Sequence, residues 1–570
     1  VSNFYKDNED ILFHIKNQDL SRIVSLREDN FNEKNKFPYA PQSYEDALDN
    51  YDRVLDIVGD IAGNFIAPRA PGVDAEGAHF ENGEVRYAQG TAEAIDRLKK
   101  ADLLGFTIPR QYGGINMPKT IYSAAIEMVS RGDASLMNIF GLQEIAETIY
   151  KFGSDDQRTR YLPRFTSGAV TGAMSLTEPD AGSDLQSVAT RAEQDSNGDW
   201  RITGVKRFIT NGRAQVSLVM ARSEHGTSGG KGISLFIYDR DKNMKIRRIE
   251  HKLGIKGSPT CELQFNGAKA ELLGTRKMGL IKYTMSLMNG ARLGVAAQSL
   301  GIAEAAYREA DKYAKERSQF KQSIRDFTAI YEMLTDMKVN IEAARSLLYE
   351  TSRIVDIKEG IEDAIEHHVE RKNDLGEDLK RYTKFASLFT PMVKAYAAET
   401  CNKVAFDALQ IHGGVGFTCE FNIERHYRDA RITNIYEGTT QLQVVAAIGG
   451  VTSGVVLERL NDYENSNDFN SVAPKIELAR RLRTHLESAV SFVKEINDEA
   501  FTEFHARRLV EMSTDVTLAY LLCIDATKND RKKAVAEAFL SKAKIRVKNA
   551  LDYITSNDRA IINNHQKIIG

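Results

Sequence analysis

Cysteine is scarce in this chain. Four residues in 570 (Cys261, Cys401, Cys419 and Cys523) are scattered, with no C-x-x-C pair. That spacing builds neither a zinc site nor a disulfide framework, and it suits a reducing compartment. Long apolar runs are missing too. The most apolar interior stretch, 444–456, is interrupted by Gly449, Gly450 and Ser453, whereas a membrane-spanning helix needs about 20 apolar residues. Neither sign of charge dominates: 76 Lys and Arg stand against 79 Asp and Glu, a formal net charge of −3. A nucleic-acid partner, which calls for a basic field, is therefore not expected. Basic pairs such as Arg507–Arg508 and Lys532–Lys533 read as solvated helix faces. The first 25 residues are polar and carry Asp7, Glu9 and Asp10. They lack the apolar stretch of a secretory signal and the acid-poor character of a transit peptide. A soluble protein of a bacterial cytoplasm is expected, rather than one of the mitochondrial matrix, without integral membrane association.

With 42% hydrophobic and 27% charged residues, the composition is that of an ordinary globular protein. A chain this long exceeds what one core serves and is expected to hold several domains. Residues 1–44 read as a charged, irregular N-terminal extension. From Tyr51, the positions Val54, Leu55, Val58, Ile61 and Ala62 follow helical spacing until Pro68 closes the segment. Residues 45–168 read as a helical domain. Between 169 and 280 the period changes to short β-branched and aromatic runs separated by turns such as Asn197-Gly198 and Asn211-Gly212, which predicts a small antiparallel β-domain. Helical spacing returns over 281–460 as a bundle, with Ala296, Leu300 and Ala303 on one face. It continues over 461–570 as a further helical segment whose role is packing. The adjacent His367 and His368 sit in a charged stretch without i,i+4 pairing, so no metal site is expected.

One loop carries more chemistry than the rest. Ile435-Tyr436-Glu437-Gly438-Thr439-Thr440-Gln441 sets an acid on the approach to a helix. Thr440 to Gln443 reads T-Q-L-Q, a capping box with Thr440 as N-cap and Gln443 at N3. Gly438 lets a ligand approach the backbone closely. Glu437 is either a catalytic base or a charge complementing the helix dipole, an effect of about 0.3–1 kcal/mol. The heptapeptide alone leaves both open.

This heptapeptide resembles the catalytic segment of the acyl-CoA dehydrogenase family, and four other segments resemble the family's remaining motifs in the same order. Thr177-Glu178-Pro179-Asp180-Ala181-Gly182-Ser183-Asp184 is similar to its flavin- and substrate-binding turn, and Phe208-Ile209-Thr210-Asn211-Gly212 to its second flavin segment. Arg317-Ser318-Gln319-Phe320 matches the motif that reaches a neighbouring subunit's flavin, and 410–417 the glycine-rich segment before the catalytic loop. The resemblance implies an α+β, mainly α fold: an N-terminal helical domain, a central antiparallel β-barrel-like domain and a C-terminal helical bundle. Residues 461–570 would be the extra C-terminal helical domain of long members, such as those acting on very-long-chain and 3-methylthiopropanoyl-CoA thioesters.

By this resemblance the reaction is α,β-dehydrogenation of an acyl-CoA to the trans-2-enoyl-CoA, with FAD as cofactor and Glu437 as the base for the α-proton. A thioester α-proton is weakly acidic, so the carbonyl must be polarised and the base desolvated. Some relatives keep the base just before the arginine of an N-x-x-R segment, here Asn289-Gly290-Ala291-Arg292; Ala291 cannot act. The resemblance assigns Thr177, Ser183, Phe208, Thr210, Arg317, Phe320, Gln410, Gly413, Gly414, Thr439 and Gln441 to FAD. It assigns Ser183, Asn289, Arg292, Tyr436 and Gly438 to the substrate. Phe208 stands where many relatives have tryptophan, Met174 where many have tyrosine, and Asn289 where aspartate is common. No Rossmann or Walker spacing competes. The expected partners are acyl-CoA, electron-transfer flavoprotein and a second copy of the chain in a homodimer. An oxidase using oxygen and a flavin-containing nucleic-acid-binding relative are the alternatives. The acyl group itself is not legible; the pocket floor is expected from 138–147 and the residues before Arg292, where Phe140, Leu142 and Met288 are bulky.

Overall fold

The computed structural model describes residues 2–570. Helices α1 (Glu9–Asn17), α2 (Ser21–Arg27), α3 (Tyr44–Asp60), α4 (Ala70–Glu76), α5 (Gln89–Lys100), α6 (Lys119–Gly132), α7 (Ala134–Phe140), α8 (Ile145–Phe152) and α9 (Asp155–Thr166) make up the first region, with a small hairpin of β1 (His79–Glu81) and β2 (Glu84–Arg86) between α4 and α5. Their ends follow local chemistry. Ser43 caps α3 through Asp46 N, and Ser154 with Gln157 forms a reciprocal capping box on α9.

Two sequence expectations need correcting here. Residues 9–27 are helical rather than irregular, whereas 29–42 are mainly turns: α1 and α2 pack Ile11, Leu20, Ile23 and Val24 into the main core, and Asn8 caps α1. The charges that suggested a solvated segment include Asp10, which is buried against Arg345 at 2.6 Å. Pro68 does not close the Tyr51 helix either. The chain passes through a π-helical turn (Ile61–Ile66) and a short 3₁₀ turn before α4, which ends at Gly77 with φ +69°. Proline is tolerated because it falls in the first turn of that 3₁₀ segment, where no N–H is needed.

The β-domain comprises β3 (Gly172–Ser175), β4 (Arg191–Gln194), β5 (Trp200–Thr210), β6 (Val216–Arg222), β7 (Ile233–Asp239), β8 (Met244–Ile249) and β9 (Thr260–Leu272). These pair in the order β3-β6-β4-β5-β9-β7, with β8 also on β9, and the β6–β7 pairing closes the sheet on itself. The ladders are antiparallel except β3–β6 and the single β4–β6 bridge, which are parallel. Buried Val219, Ala221, Phe236, Leu263 and Phe265 fill the interior.

Beyond a π-helical turn (Gly279–Thr284), α10 (Met285–Glu316) leads through the hairpin β10 (Ser318–Gln319) and β11 (Gln322–Ser323) into α11 (Thr328–His367) and α12 (Lys372–His412). The charged stretch 358–380 forms the joined ends of the last two, and His368 faces Asp29 of the N-terminal segment. Then come α13 (Ile423–Ala430), α14 (Thr440–Thr452) and α15 (Val455–Ser466). The last region holds α16 (Ala473–Ile496), α17 (Glu499–Lys528), α18 (Asp530–Thr555) and α19 (Ala560–Ile569). Ile476, Ala479, Leu482 and Leu486 on α16, and Val516 to Cys523 on α17, join the core of the bundle. No single helix among the described residues is long and apolar enough to cross a membrane.

Candidate active site

The turn between α13 and α14 presents Glu437 to a cavity of about 700 Å³ walled by the β-domain, α7–α8 and α10. Glu437 has φ +54° and Gly438 φ +87°. A glutamate in the left-handed region persists only where its surroundings hold it, and they do. Lys394 Nζ of α12 donates to the Gly438 carbonyl at 2.6 Å, and Gln443 Nε2 donates to the same oxygen at 2.9 Å and to the Glu437 carbonyl at 3.2 Å. The capping box expected at Thr440 is not formed. Thr439 is the N-cap, accepting from Leu442 N, because the Thr440 hydroxyl is taken by Glu399 at 2.7 Å. Gln443 is thereby free to turn back onto the loop.

Tyr436 anchors the other side. Its hydroxyl hydrogen-bonds to Gln298 and donates to Asn138 Oδ1 at 3.1 Å, and Gln298 in turn donates to the Ala134 carbonyl at 2.9 Å. The Glu437 N–H has no acceptor among the described residues, which leaves it available to an incoming carbonyl. Enclosure pushes the Glu437 carboxyl above the usual carboxylate range, against the opposing pull of the Lys394 and Arg292 cations. Arg292 is itself buried, donates to Asn289 Oδ1 at 3.1 Å and feels the Glu437 charge. Ala291 lines the cavity and offers no competing base.

The opposite wall comes from the β-domain. Lys206 pairs with Leu263 across β5–β9 and Ile209 with Cys261, so Arg207 and Phe208 together face the single residue Glu262. Such a bulge re-aims side chains. Phe208, at φ +59° and 52% exposed, is turned into the cavity beside Thr210. Beneath it, buried Lys206 donates to Glu178 Oε1 at 2.8 Å and to the Leu176 carbonyl at 2.9 Å. Glu178 also accepts from the N–H groups of Ala189 (2.7 Å) and Thr190 (3.0 Å). This network shapes the turn that places Thr177 and Ser183 on the cavity.

Four family models cover most of the chain: the acyl-CoA dehydrogenase N-terminal domain at residues 49–169, middle domain at 173–268, C-terminal domain at 281–448, and the acyl-CoA dehydrogenase C terminal at 452–560. The chain belongs to the acyl-CoA dehydrogenase family. It is 33% identical over 441 residues to 3-methylmercaptopropionyl-CoA dehydrogenase of Ruegeria pomeroyi, covering 72% of each chain. It is 34% identical over 373 residues to a subunit of the caffeyl-CoA reductase–Etf complex of Acetobacterium woodii, covering 64% of this chain and 90% of that one. In fold it is similar to an acyl-CoA dehydrogenase from Bacillus anthracis solved with FAD, with a TM-score of 0.76 and 23% identity over 89% of this chain and 88% of that one. The last family model covers most of the segment where the sequence showed no motif, so residues 452–560 match a family domain of their own.

As an acyl-CoA dehydrogenase family oxidoreductase, the protein uses FAD, and its surfaces suit that cofactor. The cavity wall supplies an aromatic face (Phe208) and two hydroxyls (Thr177, Thr210) suited to an isoalloxazine ring. A second group lies outside this cavity. Arg317 and Phe320 sit exposed around the β10–β11 turn, Phe320 at 90%. Gln410 lies at the end of α12, where Gly413 and Gly414 have nothing within 4 Å of an added Cβ. Thr439 and Gly438 line the cavity, whereas Gln441, Asn289 and Arg292 do not. Most of the sequence-predicted residues thus fall into two surfaces, one enclosed and one open, with Gln441, Asn289 and Arg292 in neither.

Sequence reasoning missed Lys394, Lys206 and Gln298, and gave Gln443 to a capping box instead of the loop carbonyls it binds. Each is a common helix or strand residue whose burial only the tertiary structure reveals.

Proposed function

We propose that the protein catalyses α,β-dehydrogenation of an acyl-CoA thioester, with Glu437 removing the α-proton and electron-transfer flavoprotein taking the electrons. The observation that carries this is Glu437 itself: a carboxylate on a turn whose backbone carbonyls are held by Lys394 and Gln443, in an enclosed cavity, its pKa raised by burial, facing the wall that carries Phe208, Thr177 and Thr210. In this reading the Glu437 N–H donates to the thioester carbonyl and stabilises the charge that grows there as the α-proton leaves. The raised pKa brings the base closer to the acidity of that proton. Phe208, Thr177 and Thr210 would hold FAD, which would supply the acceptor for the hydride of the β-carbon. Tyr436 keeps the turn seated by its bonds to Asn138 and Gln298, and the apolar lining excludes water from the reacting bond.

The relative in a complex with Etf supports the electron-transfer partner. The test is turnover of acyl-CoA with purified electron-transfer flavoprotein under nitrogen, with the enoyl-CoA product identified by mass. Enoyl-CoA formed in step with flavoprotein reduction is expected. Product formed only in air, with an equal amount of hydrogen peroxide, assigns the electrons to oxygen instead.

A further inference from the structure

The short turn Gly141–Glu144 brings a second carboxylate to the cavity that holds Glu437. Glu144 lines it together with Asn138, Leu142, Met288 and Val295. Buried Lys119 of α6 holds this acid: its Nζ lies 3.0 Å from Glu144 Oε1 and 2.6 Å from Glu147 Oε2. With that ammonium shared between two carboxylates, Glu144 Oε2 has no donor among the described residues. On the facing side of α10, Gly290 and Gly294 stand one helical turn apart. A Cβ at Gly290 would lie 3.7 Å from this oxygen, and one at Gly294 would lie 4.0 Å from it. A larger side chain at either position would cover the acceptor; glycine leaves it open.

The surrounding charges do not neutralise the site. Lys119 and Lys151 face Glu144, Glu147 and Glu359, which leaves one negative charge in excess within this group. Burial and the neighbouring Glu147 charge push the Glu144 carboxyl upward, while Lys119 opposes them. An acceptor on a cavity wall that lacks a protein donor is satisfied by water in the free protein. A methyl-terminated chain that displaces this water leaves the oxygen unpaired, and a donor-terminated chain replaces it. A site built to hydrogen-bond a substrate group rejects the analogue that lacks it.

We propose that Glu144 is a specificity-determining residue, whose open carboxyl oxygen receives a hydrogen-bond donor near the distal end of the acyl group. The preferred substrates are then acyl-CoA thioesters bearing a terminal hydroxyl or ammonium rather than a methyl. Leu142, Met288 and Val295 pack the methylenes between that end and the thioester. This inference rests on the dehydrogenase reading of Glu437.

The test is kcat/KM, read by ferrocenium reduction with the FAD-loaded protein. The panel is butanoyl-, hexanoyl- and octanoyl-CoA against their ω-hydroxy and ω-amino counterparts. At the best-fitting length a donor-terminated substrate is expected to win by about 10- to 100-fold. Glu144→Leu should abolish or invert that preference. Glu144→Gln, the milder change, keeps an acceptor and should retain the hydroxyl preference while losing the ammonium preference. A methyl preference at every length, or an unchanged ratio in both variants, overturns the proposal. Turnover of the whole panel without terminal preference sinks this inference alone. A panel that never reduces ferrocenium sinks the dehydrogenase reading and this inference with it.

Discussion

Lys394 Nζ donates to the backbone carbonyl of Gly438 at 2.6 Å from a side chain with no solvent exposure. A buried lysine on α12 thus ties down the turn that carries Glu437 and sets a positive charge near its carboxylate. Burial pushes Lys394 down to about 8 and Glu437 up, and each charge moderates the other's shift.

Replacing Lys394 by Met should therefore move the pH profile. The base works ionised, and the cation favours the ionised form. Without it the Glu437 pKa rises further, so the acid limb of kcat/KM shifts to higher pH and activity at neutral pH falls. Lys394→Arg, which keeps the charge, is the control. A profile that loses height without moving along the pH axis would show that Lys394 only supports the loop.

Arg317→Ala should weaken FAD retention with secondary structure intact, since a charge-assisted phosphate contact is worth about 1.5–3 kcal/mol. Flavin occupancy after dialysis, read from the absorbance ratio, checks it. Full occupancy would make Arg317 an ordinary surface residue.

The open surface with Arg317, Phe320, Gly413 and Gly414 lies outside the Glu437 cavity, and we propose that it serves the flavin of a second chain. A homodimer is expected, with a mass near 127 kDa, twice the 63.7 kDa chain. Residues 461–570 cover apolar surface of the bundle, leaving less of it for a tetramer. Light scattering of the flavin-loaded protein decides; a loaded monomer would contradict the shared site.

Lys532 of α18 pairs with Asp10 of α1 and, at 2.7 Å, with Glu342 of α11, all three fully buried. Lys532→Met takes one cation from two buried carboxylates, which keep Arg345 on Asp10 and Arg531 and Lys338 on Glu342, and should cost up to about 3–5 kcal/mol, read as a lower unfolding temperature. Lys532 and Arg345 hold the Asp10 carboxyl far below its ordinary range. Their contribution is therefore fully present at neutral pH and is lost only as strong acid protonates Asp10. Melting the variant and the parent across pH should show the gap closing in acid; a gap independent of pH would place the effect in packing.

Much of this molecule was legible in the sequence because motif and chemistry coincide. Glu437 beside Gly438, the aromatic at 208 and the empty Ala291 position each state a local requirement of the site. The misreadings share one cause. Asp10, Lys394, Lys206 and Glu144 are charged residues inside helical or strand patterns, where charge ordinarily signals solvent. Their partners lie tens to hundreds of positions away in the chain: Asp10 meets Arg345 and Lys532, and Glu144 meets Lys119. The cap at Thr439 rather than Thr440 depends in the same way on Glu399, forty-one positions upstream of Thr440. No local pattern encodes such contacts.

Glu437→Gln tests the base most directly. The variant keeps the volume of the side chain and the Gln443 and Lys394 bonds to the loop carbonyls, so it should fold, hold FAD and bind acyl-CoA. Under nitrogen, substrate should bleach the wild-type flavin, while the variant stays yellow, slower by at least about 10²–10⁴-fold. Bleaching of the variant at a near-native rate would contradict the assignment of Glu437.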